Sequence, residues 1–371
     1  MAIPLQRPYL GQEELDAVAK VFESRWLGMG AATKEFEDKL RSFLDVPHVI
    51  AVNTGTSALH IALDACGIGP GDQVIVPSLT FAASIQVITS CGAQPVFCDV
   101  QIDTFNMDPA DVEKKISPRT RAIMPVHFGG LACDMDRLLD VAKTNNVLVI
   151  EDAAHAFGST YKGRNIGTLG NVTCFSFDPI KNITCGEGGA VVTASDDIAA
   201  RVIHKRILGI DQDTWSRYRH ERSWFYEVVT PGYRYHMSNI NAAIGLEQLK
   251  RLQAFRAKKT AIVHQYDQAF RDVQGIALLR HDLDETFPFF YVLRVLDGRR
   301  DELMDHLKEK DIASGVHYIP NHLQPLYADF RVPLPITERV YREMITLPLY
   351  YEMTDNDPAL VIGAVQSFFS R

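Results

Sequence analysis

In the first two-thirds of the chain, apolar residues fall into short unbroken runs separated by stretches with helical spacing. QEELDAVAKVFES (12–24) has apolar positions at helical intervals, HVIAVN (48–53) is strand-like, and TSALHIALDACG (56–67) reads as a helix that Gly67 ends. QVIVP (73–77) predicts a buried strand followed by a helix in FAASIQVITSCG (81–92). QPVFCDV (94–100), RAIMPV (121–126) and NVLVIED (146–152) predict further strands, each reached across a segment long enough to cross over. Strands that are apolar throughout are buried on both faces, which points to a mostly parallel sheet covered by helices: an α/β fold. From residue 239 the pattern changes. Residues 239–273 form one long helical run, and FPFFYVLRVL, RDELMDHLKEK, SGVHYIP and ERVYREMITLP after it predict a small α+β unit. The expected division is a large domain over 1–250 and a small C-terminal domain over 251–371. The chain shows no internal repeat and no low-complexity stretch.

Composition narrows the function. The 371 residues are 46% hydrophobic and 23% charged, ordinary globular values, and the net charge is −8. A mildly acidic chain is not built to coat nucleic acid or an anionic membrane, although a local pocket can still oppose that sign and take an anion. Six cysteines, at 66, 91, 98, 133, 174 and 185, form no C-x-x-C pair and no zinc-ligand spacing, and read as reduced thiols. The first residues, MAIPLQRPYL, lack the pattern of a signal peptide, and no apolar run reaches bilayer length. A cytoplasmic protein is expected. The sequence contains no G-x-x-x-x-G-K-[ST], H-E-x-x-H or G-x-S-x-G, and no G-x-G-x-x-G after the first strand, so four common chemistries lose their usual support.

Four features carry candidate chemistry. In VNTGTSALHIAL (52–63) a strand ends, Gly55 permits a tight turn, and Thr56 and Ser57 open a helix; the same residues make an anion site or an ordinary helix cap. In NVLVIEDAAHAFG (146–158), Asp152 ends a buried strand, where open α/β sheets bind ligands. It can pair with a protonated ring nitrogen or cap a following helix, and His155 lies one helical turn on. In FSFDPIKNITCGEGGAVV (175–192), Lys181 stands in a turn between two apolar strands, beside glycines that let backbone approach a ligand. Taken alone it reads as a solvated loop lysine. Phe81, after QVIVP and the turn SLT, can stack on a flat ligand or belong to the core. Together, an anion cradle, an aromatic wall, a carboxylate and a lysine at strand ends match what pyridoxal phosphate requires. A lysine that serves such a cofactor must be neutral part of the time, so its pKa must fall below the usual value.

At this point the chain resembles the DegT/DnrJ/EryC1/StrS family of pyridoxal-phosphate-dependent sugar aminotransferases. SRWLGMG, NTGTSALHIAL, GDQVIVPSLTFAAS, GAQPVFCDV, PVHFGGLACDMD, EDAAHAFGSTYKG, FSFDPIKNITCGEGG, GYRYHMSNINAAIG and GVHYIPNHLQPLY carry the likeness in order over nearly the whole chain. The resemblance implies an aspartate aminotransferase-type fold and a homodimer with active sites at the interface. It implies pyridoxal 5'-phosphate as cofactor, pyridoxamine 5'-phosphate as intermediate, L-glutamate as donor with 2-oxoglutarate as product, and a nucleotide-linked keto-sugar as acceptor, a 4-keto-6-deoxyhexose. By position it makes Lys181 the Schiff-base lysine, Asp152 the partner of the pyridine nitrogen and His155 a neighbour of the phenolic oxygen. Ser176, Thr56 and Ser57 become phosphate ligands, and Phe81 the stacking ring. Arg234 stands where many members have an asparagine that reaches the phosphate of the neighbouring subunit, and His236 at a position that varies. His317, Tyr318 and His322 fall in the segment resembling the sugar-nucleotide wall. Two rival readings remain. A dehydratase of the same family has histidine where Lys181 stands, and a regulatory protein would keep the fold without turnover.

Overall fold

The computed structural model describes residues 2–211 and 226–370. Two helices, α1 (Gln12–Ser24) and α2 (Ala31–Leu44), precede an alternating stretch: β1 (His48–Val52), α3 (Gly55–Ala65), β2 (Gln73–Pro77), α4 (Ala82–Ser90), β3 (Gln94–Cys98), α5 (Pro109–Lys115), β4 (Thr120–Ile123), α6 (Met135–Asn145) and β5 (Leu148–Asp152). A small hairpin, β6 (Thr160–Tyr161) and β7 (Arg164–Asn165), leads to β8 (Val172–Ser176), β9 (Gly189–Thr193) and α7 (Asp196–Lys205). Then come α8 (Asn239–Lys250), α9 (Leu252–Phe270), β10 (Ile276–Leu278), β11 (Tyr291–Val295), α10 (Arg300–Lys308), α11 (Pro335–Glu343), β12 (Met344–Leu347) and α12 (Asp357–Phe369).

The main sheet has seven strands in the order β1-β9-β8-β5-β4-β2-β3. Neighbours from β8 through β5, β4 and β2 to β3 are parallel, and only β9 runs against the rest. The sheet is buried on both faces, as the apolar runs predict. Val74 and Val76 of β2 pack with Ile61 and Ala62 of α3 on one side. Ile75, between them, packs with Met135 and Leu138 of α6 on the other. Because β1 and β8 both flank the reversed β9, they point the same way as the parallel set. The carboxyl ends of β1, β2, β5 and β8 therefore share one edge, where ligands bind in such sheets. The 177–188 connection from β8 to β9 turns back at that edge and carries Lys181.

The C-terminal part forms a three-stranded antiparallel sheet, β10-β11-β12. Its core joins Tyr266 and Phe270 of α9, Leu303 and Leu307 of α10, and Val361 and Val365 of α12. Three local expectations change. The predicted run 239–273 is two helices that meet at Arg251, whose φ of −100° and ψ of 2° leave the helical region. The Arg251 guanidinium reaches Glu13 and Glu14 of α1, which fixes the corner. RAIMPV is strand only to Ile123. Residues 153–158 form turns rather than a helix, so Asp152 caps no helix. All six cysteines are free thiols, and burial pushes those of Cys98 and Cys174 well above the usual range. Among the described residues no helix is long and apolar enough to cross a membrane, and no cluster of His, Cys, Asp and Glu suits a metal ion.

Candidate active site

A cavity of about 530 Å³ opens at the shared strand edge, and Gly55, Thr56, Phe81, Asp152, His155, Ser176 and Lys181 all line it. Their separation in sequence runs from 55 to 181; the sheet topology brings them together. Ser57 and Arg234 are not among its lining residues. Ser57 is buried in the first turn of α3, where its hydroxyl accepts from Thr54 Oγ1 at 2.9 Å. Arg234 is exposed on an extended segment whose backbone bridges Ile207. His236 bridges Val52 through its backbone, and its buried Nδ1 has no partner among the described residues.

The anion end of the cavity follows from the start of α3. Thr54 is the cap: its side chain accepts the Ser57 amide at 3.0 Å. Gly55 and Thr56 belong to the same first turn, whose amides have no acceptor inside the helix, and the helix dipole adds positive potential there. Ser176, at the end of β8, closes against this turn. A Cβ on Gly55 would lie 2.7 Å from the Ser176 Cβ and 2.9 Å from its Oγ, so only glycine permits the approach. This cradle of amides and hydroxyls fits a phosphate.

The carboxylate end is built by β5. Alternation along the strand sends Glu151 and Asp152 to opposite faces. Glu151 is fully buried and accepts from His127 Nε2 (2.9 Å), Thr173 Oγ1 (2.7 Å) and the Gly170 amide (2.8 Å), which locks the strand. Asp152, 4% exposed, accepts from Ser84 Oγ at 2.6 Å and from the Ala154 amide at 3.1 Å. Ser84 in turn exchanges a hydrogen bond with Thr80 at 2.8 Å. A buried carboxylate held on one side by these donors retains capacity for a cationic N–H on the cavity side.

Lys181 lies between the two ends. Its amide donates to the Asp178 carbonyl at 3.1 Å, and its Nζ stands 4.4 Å from the centroid of the Phe289 ring. Burial lowers its amine from the usual 10.5 to about 8, against the opposing pull of Asp178 and Asp152. That meets the requirement for an amine that is neutral part of the time. Behind it, Lys259 of α9 is 6% exposed and donates to Asn182 Oδ1 at 3.0 Å and to the Phe289 carbonyl at 3.3 Å. Burial, and then the neighbouring Lys181, lower its pKa to about 7.

The C-terminal part supplies the remaining wall through His317 and Tyr318. His317 Nδ1 pairs with Thr346 Oγ1 at 2.8 Å, and burial with Lys181 nearby lowers its pKa to about 4. The Tyr318 hydroxyl lies 3.0 Å from His155 Nε2. Phe81, the first residue before α4, is 59% exposed and holds its ring 5.7 Å from that of Tyr318, at the cavity's rim. His322 lies outside the cavity, fully buried, with Nδ1 2.7 Å from Ser78 Oγ. Sequence reasoning missed Thr54, Thr80, Ser84, Phe289 and Lys259. Ser84 had a signal, as a polar residue one turn after Thr80 inside an apolar helix. Phe289 had none, since its run reads only as core.

Comparison with known proteins agrees with this geometry. The model of the DegT/DnrJ/EryC1/StrS aminotransferase family matches residues 8–366. The spore coat polysaccharide biosynthesis protein SpsC of Bacillus subtilis is 40% identical, over 98% of this chain and 96% of that protein. Among solved structures, the aminotransferase TlmJ of Streptoalloteichus hindustanus superposes with a TM-score of 0.94 at 33% identity, covering 100% of this chain and 99% of that one. A Streptococcus pneumoniae protein assigned as a sugar aminotransferase, in its pyridoxamine phosphate form, gives 0.93 at 32% identity over 99% of both chains, and its pyridoxal phosphate form is similar as well. The fold is that of the fold type I pyridoxal phosphate aminotransferases, and the cofactor is pyridoxal 5'-phosphate. With a family match over nearly its full length and a cavity whose residues suit that cofactor, this chain belongs to the DegT/DnrJ/EryC1/StrS family of sugar aminotransferases.

Proposed function

We propose that the protein moves an amino group from L-glutamate to a nucleotide-linked keto-sugar, a 4-keto-6-deoxyhexose, acting as a cytosolic homodimer. The observation that carries the reading is the placement of the Lys181 amine, lowered to about 8, in one cavity with Asp152 and the first turn of α3. The name of SpsC, a polysaccharide biosynthesis protein, supports a place in making an envelope or coat polysaccharide.

Bound pyridoxal phosphate supplies an aldehyde for amino groups and a protonated ring that draws electron density from the donor's α-carbon. The chain's residues provide the rest. Gly55 and Thr56, with the Ser176 hydroxyl, would hold the phosphate, and Ser57 would act through the cap it shares with Thr54. Asp152 would hold the proton on the ring nitrogen, because a buried carboxylate favours an adjacent cation. Lys181 Nζ, neutral in a large fraction near its own pKa, would take the α-proton of the donor and return it on the other side of the transfer. Arg234 is exposed and does not line this chain's cavity, so any contact with a phosphate would be made in a second copy.

The test is direct. Purified holoenzyme should be yellow, and borohydride should fix the cofactor on Lys181, located by peptide mass spectrometry. A panel of dTDP-, UDP- and GDP-linked 3- and 4-keto-sugars with glutamate should then give one aminated product. Transfer by Lys181→Ala at the wild-type rate would overturn the role given to that lysine. Cofactor binding without transfer to any acceptor would favour a regulatory protein.

A further inference from the structure

We propose that Tyr318 is a positioning residue that sets the tautomer of His155, so that Nδ1 of the imidazole carries the proton. His155 is 5% exposed and held in an aromatic clamp. Phe289 stacks on it at 4.3 Å and 16°, Phe290 meets it edge-on at 5.2 Å and 64°, and Tyr318 lies at 6.0 Å and 24°. The clamp fixes the ring plane; the hydrogen bonds decide which nitrogen bears the proton. Nε2 is 3.0 Å from the Tyr318 hydroxyl, and Nδ1 is buried with no partner among the described residues.

The imidazole is neutral in this setting, because burial, then Lys181, His317 and His127, oppose a positive charge on it. A neutral imidazole has one donor nitrogen and one acceptor nitrogen. If Nε2 carried the proton, it would donate to the Tyr318 oxygen. The phenol proton would then have no protein acceptor among the described residues, and the Nδ1 lone pair would have no donor. If Tyr318 donates to Nε2, only the Nδ1 proton lacks a partner. The second arrangement leaves one unmet group where the first leaves two, and an unmet buried polar group is the expensive feature. Nδ1 thus carries the proton, enclosed and without a partner among the described residues.

His155 shares the cavity with Lys181, where the cofactor aldehyde would lie, so the tautomer sets the polarity of the imidazole beside the cofactor. This last step rests on the proposed function; the tautomer does not. Tyr318 comes from the segment after α10, far in sequence from the strand-end residues. Its hydroxyl thereby ties the C-terminal wall of the cavity to an imidazole that lines it.

The experiment reads the tautomer in apoprotein labelled with ¹⁵N-histidine, with the His155 signals identified by their loss in His155→Gln. Wild type should show the Nδ1-protonated form. Tyr318→Phe keeps the ring and removes the hydroxyl, and should shift His155 to the other tautomer or to a mixture. In holoenzyme, Tyr318→Phe should displace the visible absorption band and lower kcat about tenfold, the size of one lost hydrogen bond, with KM for the donor little changed. A wild-type apoprotein with the proton on Nε2, or a Tyr318→Phe protein with unchanged tautomer and unchanged absorption band, overturns the proposal. Failure to aminate any keto-sugar leaves the apoprotein readout intact, so the two readings fail separately.

Discussion

Lys259 gives the most quantitative handle on the site. It is a lysine almost fully enclosed, with Asn182 Oδ1 and the Phe289 carbonyl as its hydrogen-bond acceptors and a lowered pKa of about 7 against the usual 10.5. In the unfolded chain the amine keeps its proton up to the usual value; in the folded protein it gives it up near pH 7. Between those limits the unfolded state binds more protons, so this group's contribution to stability rises with pH, and below the lower limit its full penalty applies. Lys259→Met removes the titration and keeps most of the volume. The substitution also leaves Asn182 Oδ1 without its donor, at about 1–3 kcal/mol, while the Phe289 carbonyl retains Gln6 Nε2 at 3.3 Å. Those offsets do not vary with pH and cancel in the slope. The difference in unfolding free energy, wild type minus Lys259→Met, should climb by about 1.4 kcal/mol per pH unit. From about pH 7 to about pH 10 the total is about 4 kcal/mol on the same basis. Urea unfolding of the two apoproteins across that range measures it. A flat difference curve would falsify the placement of Lys259 as a buried, titrating amine.

Three further outcomes follow from the cavity. In the role proposed for Lys181, capture of pyridoxal phosphate by the apoprotein needs its neutral amine, so the rate should rise with pH to a midpoint of about 8 and then level off; stopped-flow absorbance showing a continued rise towards 10.5 would contradict the burial of that amine. Gly55→Ala forces a Cβ to within 2.7 Å of the Ser176 Cβ and 3.2 Å of its Cα, so it should cost about 1–3 kcal/mol of stability and weaken cofactor binding, read by thermal melting and equilibrium dialysis. Ser84→Ala removes the 2.6 Å donor to Asp152 Oδ2; a bond to a charged group is worth about 1.5–3 kcal/mol, so cofactor affinity should fall at least about tenfold with little change in secondary structure by circular dichroism.

The strands were legible because each is an apolar run short enough to be nothing else, and a run buried on both faces can only sit in a covered sheet. Asp152 stood out for the same reason, as the polar residue at which such a run stops, whereas Ser176 read as a strand residue and entered only through the family resemblance. The reversal of β9 was not legible, since periodicity says nothing of direction. The break at Arg251 was hidden too, because it depends on carboxylates of α1 more than two hundred residues earlier. Lys259 was legible and passed over. The buried positions of α9 are Leu252, Phe255, Lys259, Ile262, Val263, Tyr266 and Phe270, so the lysine occupies the apolar stripe at helical spacing, while its neighbour Lys258 lies off the stripe and pairs with Asp355. A cation on the buried face of a helix calls for a polar destination, and here that destination is the residue after Lys181.

Phe289 couples the Lys181 loop in the middle of the chain to its last third. Its ring faces the Lys181 amine at 4.4 Å and stacks on His155 at 4.3 Å, and its carbonyl receives Lys259. The ring face carries partial negative charge, which favours a cation above it and eases the protonated state of Lys181, while enclosure favours the neutral state. Enclosure wins, since the amine ends below its ordinary value, but only by enough to leave it near 8 rather than fully neutral. An amine balanced there can both lose a proton to become a nucleophile and hold one to act as an acid, which is what a transfer that runs in two opposite halves demands of a single residue.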